Sequence, residues 1–344
     1  MFALSTVNSS GVTTGGRPDG FSPFRGLSPD EPMGDSDDRP PVTAHSGYRR
    51  LFGDGDLTLG TGFPLTGRTQ SAPPVAEELR LAGLAEDLGF DALWTRDVPT
   101  FWPKFGEAGQ VFDTWPWLSQ VAANTDDIAL GTASVVLTLR HPLHVAKAAA
   151  SVDRLSDGRL VLGVASGDRP PEFEAFGVDE DDRGARFRES VRVLRAAWAD
   201  SFPEVDTERV ALDGTLDVVP KATTETLPLL PTGHARQERD WLAEHGDGWL
   251  FYQLPRDTLQ SFLDDWRERA GEKPFSMALQ VRLADDPTAG PDPVHQGFRA
   301  GREWFVDYFR DLDSMGVDHV LVGVGGDDPE ADLTAFAEGV LDHV

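Results

Sequence analysis

LGTASVVLTLRHPLHVAKAAASVDRLSDGRLVLGVASG is the sequence from Leu130 to Gly167. Two runs rich in Val and Leu fall here, at 128–139, which begins two residues before the quoted stretch, and at 160–165. An alanine-rich helical pattern lies between them and ends at Asp157-Gly158. Strands that lack hydrophobic alternation are buried on both faces, and a helix that joins two of them implies a parallel pair. This stretch therefore predicts a β-α-β unit in an α/β protein.

The same alternation of strand and helix extends from about residue 56 to the end of the chain. Eight strands are predicted, at 57–63, 91–95, 128–137, 160–166, 227–232, 248–252, 275–283 and 319–324. Eight helices are predicted, at 75–88, 115–123, 144–155, 183–199, 237–244, 258–270, 298–312 and 332–341. This pattern predicts a (β/α)8 TIM barrel, with an open doubly wound sheet as the alternative. The stretch 200–226 is too long for a plain loop, and its pieces 209–214 and 216–219 suggest an inserted hairpin or another excursion from the barrel.

Composition and charge limit the classes of partner. The chain has 344 residues, 40% of them apolar, with 58 acidic and 31 basic residues and a formal net charge of −27. Such a surface repels nucleic acid and anionic membranes. Because the acidic residues are spread along the whole chain, they favour adaptation to a salt-rich cytoplasm, with an acidic patch for a partner as the alternative.

The sequence also restricts location and domain organisation. There is no cysteine, which excludes disulfides, thiolate metal sites and cysteine nucleophiles. No apolar run reaches the roughly 18 residues of a membrane helix and no signal-peptide pattern is present, so we expect a soluble, cytoplasmic protein. Residues 1–46 are rich in Gly, Pro, Ser and Asp and predict a flexible leader, followed by one barrel domain at 47–344.

Four short blocks in the quoted stretch, in this order, resemble the luciferase-like flavin-dependent monooxygenases, which comprise bacterial luciferase and its non-luminous relatives. The blocks are Gly131-Thr132-Ala133-Ser134, Arg140-His141-Pro142, Leu155-Ser156-Asp157-Gly158-Arg159 and Gly163-Val164-Ala165-Ser166-Gly167. The resemblance implies a barrel of the luciferase type, whose active site lies on the loops at the carboxyl ends of the strands.

One of these loops suggests a phosphate site. The predicted strand at 227–232 leads through Thr232-Gly233-His234-Ala235-Arg236 into a helix expected to begin near Ala235. Unpaired N–H groups and the helix dipole bind phosphate at such an end. In the relatives this position receives the flavin phosphate, so the resemblance implies that Thr232, Gly233, His234, Ala235 and Arg236 bind it; an ordinary capped helix is the alternative.

The resemblance also implies where the flavin ring lies. In luciferase-like barrels the third strand ends in a bulge with a cis peptide that presses on the flavin ring. By position this peptide is Ala133–Ser134, followed by Val135; a continuous strand of small core residues is the alternative. Gly62, Ser166 and Gly167 lie where other strands end and are predicted to bind the cofactor as well.

The catalytic assignment departs from luciferase. Where luciferase has its reactive histidine after the second strand, this chain reads Arg96-Asp97-Val98-Pro99, so light emission is not implied. Asp97 and His141 are the candidates for proton transfer. Trp94, Trp102, Arg169 and Tyr252 are candidates for a substrate pocket, although a loop ion pair between Asp97 and Arg169 and a packing role for Trp94 are equally compatible with the sequence.

Two further patterns have plainer explanations. His141 and His144 lack a third ligand with suitable spacing, so no metal site is predicted. The run Val322-Gly323-Val324-Gly325-Gly326 lacks the G-x-G-x-x-G spacing and is interpreted as a structural turn.

Taken with the resemblance, these patterns predict an oxidoreductase or monooxygenase that uses reduced FMN and oxygen on a small organic substrate. An F420-dependent enzyme that transfers hydride and a non-catalytic flavin-binding protein are the alternatives. A separate flavin reductase and a second copy of the chain, in a homodimer, are the expected protein partners, with no nucleic acid and no membrane.

Overall fold

A computed structural model describes residues 39–66, 72–105, 112–326 and 328–344. The strands are β1 Thr58–Gly62, β2 Ala92–Thr95, β3 Ala129–Val136, β4 Leu160–Ala165, β5 Glu204–Asp206, β6 Ala211–Asp213, β7 Leu229–Pro231, β8 Trp249–Tyr252, β9 Phe275–Leu283, β10 Asp292–Val294, β11 Gly297–Ala300 and β12 His319–Val324. The α-helices are α1 Ser46–Phe52, α2 Val75–Asp87, α3 Thr114–Ala122, α4 Pro142–Leu155, α5 Pro170–Ala175, α6 Arg183–Ala199, α7 Arg239–His245, α8 Arg256–Ala270, α9 Arg302–Met315 and α10 Pro329–Gly339. Within the described ranges, no helix is both long enough and apolar enough to cross a membrane.

Eight parallel strands form the barrel wall, and they are the eight predicted from the sequence. β1 to β4 pair in chain order, β7 follows β4, and β8, β9 and β12 lead back to β1. β7 meets β8 through a parallel bridge between Thr232 and Leu250, where the Gly233 N–H donates to the Leu250 carbonyl at 2.8 Å. Each of the eight wall strands thus lies beside the next wall strand along the chain, as the (β/α)8 prediction requires.

Alternation along the strands separates two apolar layers. Leu59, Leu130, Leu162 and Leu279 belong to the cluster that packs beneath the helices. Ala129 and Val161, which precede Leu130 and Leu162, point into the barrel instead. They belong to a second cluster with Leu51, Ala92, Trp94, Leu230 and Leu250. Because Leu51 belongs to α1, this short helix contributes to the interior cluster.

The buried Arg159, at the start of β4, joins several elements of the barrel. Its guanidinium donates to the carbonyl oxygens of Ala122, Thr125, Ile128 and Ser156, at 2.8–3.0 Å. The preceding turn has positive φ at Asp157 (56°) and Gly158 (79°). The Leu155–Arg159 block therefore has a structural role here.

The two excursions from the barrel are hairpins. The predicted insertion contains the antiparallel pair β5 and β6, which packs on Val193 of α6. The strands of this hairpin lie at 204–206 and 211–213, and residues 216–219 continue the excursion outside the hairpin. The second hairpin, β10–β11, lies beside the carboxyl half of β9, with which β11 pairs in parallel. The prediction of a helix from residue 298 was wrong, because 297–300 form a strand and α9 begins at Arg302.

The described part of the predicted leader, residues 39–46, is packed against the barrel. Arg39 donates to the carbonyl oxygens of Trp198 and Thr224 at 2.7 and 2.9 Å. His45 is 1% exposed, and its Nε2 lies 2.7 Å from the carboxylate of the buried Asp153. The folded domain therefore includes residues before 47, and the rest of the predicted leader, residues 1–38, lies outside the described part of the chain.

Candidate functional site

The end of β3 has the predicted bulge. The peptide between Ala133 and Ser134 is cis, and the pairing with β4 shifts register between Thr132 and Val135. The Thr132 hydroxyl donates to the Gly163 carbonyl at 2.7 Å, and a Cβ on Gly163 would lie 2.0 Å from the Thr132 carbonyl oxygen. Glycine at 163 is therefore what allows the bulge to lie against β4.

A hydrogen bond connects this bulge to the predicted phosphate segment. The hydroxyls of Ser134 and Thr232 are bonded to each other, although the two residues are 98 positions apart. The structure thus brings Ser134 and Thr232 into contact, with Ala133 adjoining Ser134 through the cis peptide. Val135 is not part of this group, because its fully buried side chain belongs to the layer beneath the helices.

Residues 233–236 form a turn, and the prediction of a helix from Ala235 was wrong, since α7 begins at Arg239. Gly233, Ala235 and Arg236 all have positive φ, at 57°, 45° and 59°. Non-glycine residues rarely adopt this conformation. The Trp249 indole N–H donates to the Gly233 carbonyl at 2.6 Å, and the Gln237 side chain donates to the Ala235 carbonyl at 3.0 Å. These two side chains hold the strained turn in place.

The turn has donors available for an anion. The backbone N–H groups of His234, Ala235 and Arg236 make no hydrogen bond to any described residue. The Arg236 side chain is exposed and has no ion pair within the described ranges. The pKa of His234 is lowered, mostly by burial and to a smaller extent by the charge of Arg239, so its ring is mostly neutral near pH 7. The backbone amides and Arg236 are therefore the groups that can bind phosphate here.

Asp97, a predicted proton-transfer residue, is instead the centre of an ion-pair cluster. Its side chain is 1% exposed and accepts from Arg140 at 2.6 and 2.9 Å and from the Val136 backbone N–H at 3.0 Å. Arg140 also contacts Asp113, the N-cap of α3, at 3.0 Å. These contacts join the loop after β2 to β3 and α3, which is a structural role.

His141, the other predicted proton-transfer residue, is exposed at the start of α4. The pKa of His141 is lowered, mostly by partial burial and to a smaller extent by the nearby charges of His144 and Arg209. The His141 and His144 rings are 5.7 Å apart. No contact joins His141 to Asp97 among the described residues, so the structure does not bring the two together.

Trp94, predicted in the substrate pocket, lies inside the barrel. It is 1% exposed, and its indole N–H donates to the fully buried His319 at 3.0 Å. A Cβ on Gly60 would lie 2.9 Å from Trp94 Nε1, and one on Gly131 would lie 2.2 Å from Trp94 Cε3. Both glycines therefore make room for the indole, and Trp94 is a core residue.

The other predicted pocket residues have separate environments. Arg169 is buried, with its guanidinium 3.2 Å from both Glu172 and the Thr100 carbonyl, so it joins the loops after β4 and β2. Trp102 is half-buried in the loop after β2. Tyr252 is 46% exposed at the end of β8, beside Gly233, where a Cβ would lie 3.3 Å from the tyrosine ring.

Ser166 and Gly167, predicted to bind cofactor, form the turn after β4. The Ser166 carbonyl accepts from Thr138 at 3.0 Å. Gly167 has a φ of 83°, and a Cβ there would lie 2.9 Å from Phe173. The local conformation alone accounts for glycine at 167.

A charged group that the prediction did not include surrounds Tyr252. Burial lowers the pKa of Arg96 and raises that of Asp168. The opposite charges partly offset this, since Asp168 raises the pKa of Arg96 and Arg96 lowers that of Asp168. The pKa of Tyr252 is raised, mostly by burial and to a smaller extent by the negative charge of Asp168. Arg96 and Asp168 directly follow β2 and β4, so their position at strand ends was the available signal. This group could hold and transfer a proton at the barrel mouth.

The chain matches the family model of the luciferase-like monooxygenases over residues 57–289. It is 38% identical to an F420-dependent glucose-6-phosphate dehydrogenase of Beutenbergia cavernae over 152 residues, 43% of this chain and 42% of that protein. It is 24% identical to the alkanal monooxygenase alpha chain of Photorhabdus luminescens over 169 residues, 49% of this chain and 45% of that protein. The chain thus spans less than half the length of these two curated relatives.

Two solved structures share the fold. A monooxygenase from Streptomyces bottropensis has a TM-score of 0.69 at 22% identity, over 83% of this chain and 99% of that one. An F420-dependent secondary alcohol dehydrogenase has a TM-score of 0.68 at 17% identity, over 84% and 99%. The family model covers well over half of the sequence, and the chain belongs to the luciferase-like monooxygenase family.

Proposed function

We propose that this protein is an oxidoreductase that binds FMN at the barrel mouth, with the phosphate on the 233–236 turn and the ring against the β3 bulge. The observation that carries the proposal is the hydrogen bond between Ser134 and Thr232, which joins the bulge to a turn whose amides have no partner among the described residues. A ring and a phosphate on one molecule would occupy these two places together.

The shape of the barrel wall fits a planar ring. A Cβ on Gly62 would meet only the Trp94 carbonyl oxygen at 3.5 Å and Leu321 Cδ2 at 3.6 Å, which are ordinary contacts. Protein packing therefore does not require glycine at 62, unlike at 60 and 131. Close approach of a ligand is a physical reason for a glycine at such a position.

The residues of the chain supply binding and proton handling. A bound flavin-type cofactor supplies the two-electron chemistry. Arg236 and the turn amides neutralise the phosphate, and Ser134 and Thr232 fix the bulge. Asp168 replaces Asp97 and His141 in this proposal as the proton-transfer residue, because its carboxyl has a raised pKa and lies near Arg96 and Tyr252.

F420 is the second candidate cofactor. The observation in its favour is that the relative at 38% identity is described as F420-dependent, as is one of the two structural relatives. The mass and absorption spectrum of the small molecule that copurifies with the protein distinguish the two cofactors. A homodimer and a separate flavin reductase stay predictions.

Titration with FMN and riboflavin tests the phosphate position. Arg236→Glu places a negative charge beside a phosphate of charge about −1.5 to −2 and should weaken FMN about tenfold or more. Riboflavin has no phosphate and should lose little affinity. Arg310→Glu is the matched control, since Arg310 contacts the His343 carbonyl far along the chain. Equal losses for the two ligands would place the phosphate elsewhere.

A glycine pair tests the ring position. Gly62→Ala should leave the unfolding midpoint unchanged while weakening both FMN and riboflavin. Gly131→Ala is the contrasting variant, because its Cβ would lie 2.2 Å from Trp94 Cε3 and should lower stability by about 1–3 kcal/mol. Unchanged affinity for both ligands in Gly62→Ala would exclude the ring from this wall.

A further inference from the structure

Two polar side chains of β9 lie across the glycine-rich end of β12. Met277, Leu279 and Val281 pack beneath the helices, so the alternating residues Gln280 and Arg282 face the barrel interior. A Cβ on Gly323 would lie 2.3 Å from Gln280 Nε2, and one on Gly325 would lie 1.4 Å from Arg282 Nη1. The two glycines therefore provide the space in which the carboxamide and the guanidinium lie.

The Arg282 guanidinium has no partner among the residues that the structure describes. It makes no hydrogen bond or ion pair with the described part of the chain, in a protein with 58 acidic residues. Arg282 is the register partner of Arg299 on β11, and Arg299 is likewise without an ion pair to the described residues. Adjacent like charges repel, so protein stability does not account for this pair.

Two carboxylates, those of Asp292 and Asp332, lie on the elements next to the two arginines. Asp292 is the register partner of Arg299 across β10–β11, yet no ion pair forms between them. The carboxylate of Asp332 lies over Gly326, where a Cβ would be 2.3 Å from its oxygens. Asp292 therefore leaves the charge of Arg299 unpaired within the described part of the chain.

The position of this pair in the barrel is opposite the bulge. Around the ring of eight strands, β9 lies four places from β3. Thr61 pairs with Val322, so Gly62 and Gly323 are neighbours one step further along, and Gln280 pairs with Gly323. Gln280 is thus at the level of the proposed ring, and Arg282 is two residues further toward solvent.

We propose that Arg282 and Gln280 bind a carboxylate or phosphate group of the substrate. The guanidinium presents paired N–H donors that match either anion, and the carboxamide adds a further donor beside it. That the anion belongs to the substrate rests on the proposed function; that an anion binds here rests only on the contacts of β9 and β12. Arg299 adds positive charge and draws the anion to this side of the mouth.

The test is a calorimetric titration of FMN-loaded, full-length protein with inorganic phosphate and, separately, with acetate. Bound FMN fills the 233–236 turn, so added anions report on the second site. Arg282→Ala should weaken the better of the two anions at least about tenfold. The comparison of phosphate with acetate shows which anion the site prefers.

Two further variants separate position from charge. Gly325→Ala keeps the arginine but places a methyl group where Nη1 lies, and it should weaken the same anion. Arg310→Ala removes one positive charge elsewhere and should leave anion binding unchanged.

Absence of saturable binding in the parent protein overturns the proposal. Equal binding in the parent, Arg282→Ala and Gly325→Ala also overturns it, as does an equal loss in Arg310→Ala. If FMN itself does not bind, the proposed function fails, and the same titrations in cofactor-free Arg236→Ala protein still decide whether Arg282 binds an anion.

Discussion

Replacing Asp97 with asparagine distinguishes a structural carboxylate from a catalytic one. Asp97 accepts two hydrogen bonds from Arg140 and one from the Val136 N–H, with its side chain 1% exposed. Asparagine keeps one acceptor oxygen and turns an NH2 group toward these donors, which leaves the Arg140 charge without its buried partner.

Breaking a buried ion pair costs about 3–5 kcal/mol. Arg140 is 22% exposed and can recover part of its hydration, so we expect the low end of this range, about 3 kcal/mol. For a chain of this length that loss lowers the melting temperature by about 4 °C. The assay is unfolding by heat and by urea, together with turnover of the folded enzyme, which should persist.

Asp113→Asn is the matched control. It removes the other carboxylate on Arg140, which is 51% exposed, and asparagine is still a good N-cap for α3. The expected loss is about 0.5 kcal/mol. Unchanged stability of Asp97→Asn together with lost turnover would refute the structural role and restore Asp97 as the proton-transfer residue.

Three further outcomes are expected. Burial lowers the pKa of His319 from 6.5 to about 3, so the folded state disfavours its protonation. The free energy of unfolding should therefore fall by about 1.4 kcal/mol per pH unit below pH 6.5. His319→Gln should reduce this slope between pH 7 and 5, and an equal slope in the variant would show that His319 is not its cause. Starting the chain at residue 47 removes His45 and leaves one carboxylate oxygen of the buried Asp153 without its hydrogen-bond partner, while the other oxygen still accepts from Thr223, so urea unfolding should show a loss of about 1–3 kcal/mol, whereas a chain that starts at 39 should show little loss. The net charge of −27 predicts that the melting temperature rises from dilute to molar KCl, and a flat or falling trend would contradict the role of self-repulsion.

The strands were predictable because their signal is local. Runs such as 160–165 are buried on both faces, and their order along the chain matches their order around the barrel. The hairpin at 297–300 was not predictable in the same way, since Phe298 also fits the apolar stripe of the helix that follows it. A residue pattern with period 3.6 can begin inside a short strand.

The site was less predictable because its contacts are distant in sequence. Asp97 is neutralised by Arg140, 43 positions away, and Trp94 lies against Gly131 and His319. Sequence places each of these residues at a strand end but does not give its partner. The turn at 233–236 was missed for a different reason, because positive φ at Ala235 and Arg236 has no glycine to indicate it.

The glycines of the barrel wall separate packing from ligand recognition. Gly60 and Gly131 accommodate the Trp94 indole, Gly163 accommodates the Thr132 carbonyl, and Gly325 accommodates Arg282. Each of these close approaches has a protein atom as its cause. At Gly62 a Cβ would make only ordinary contacts with protein atoms, so packing does not require glycine there, and this position lies beside Gly323 and Gln280. A missing side chain that the protein itself does not explain is therefore the strongest steric argument that a ligand lies against this part of the wall.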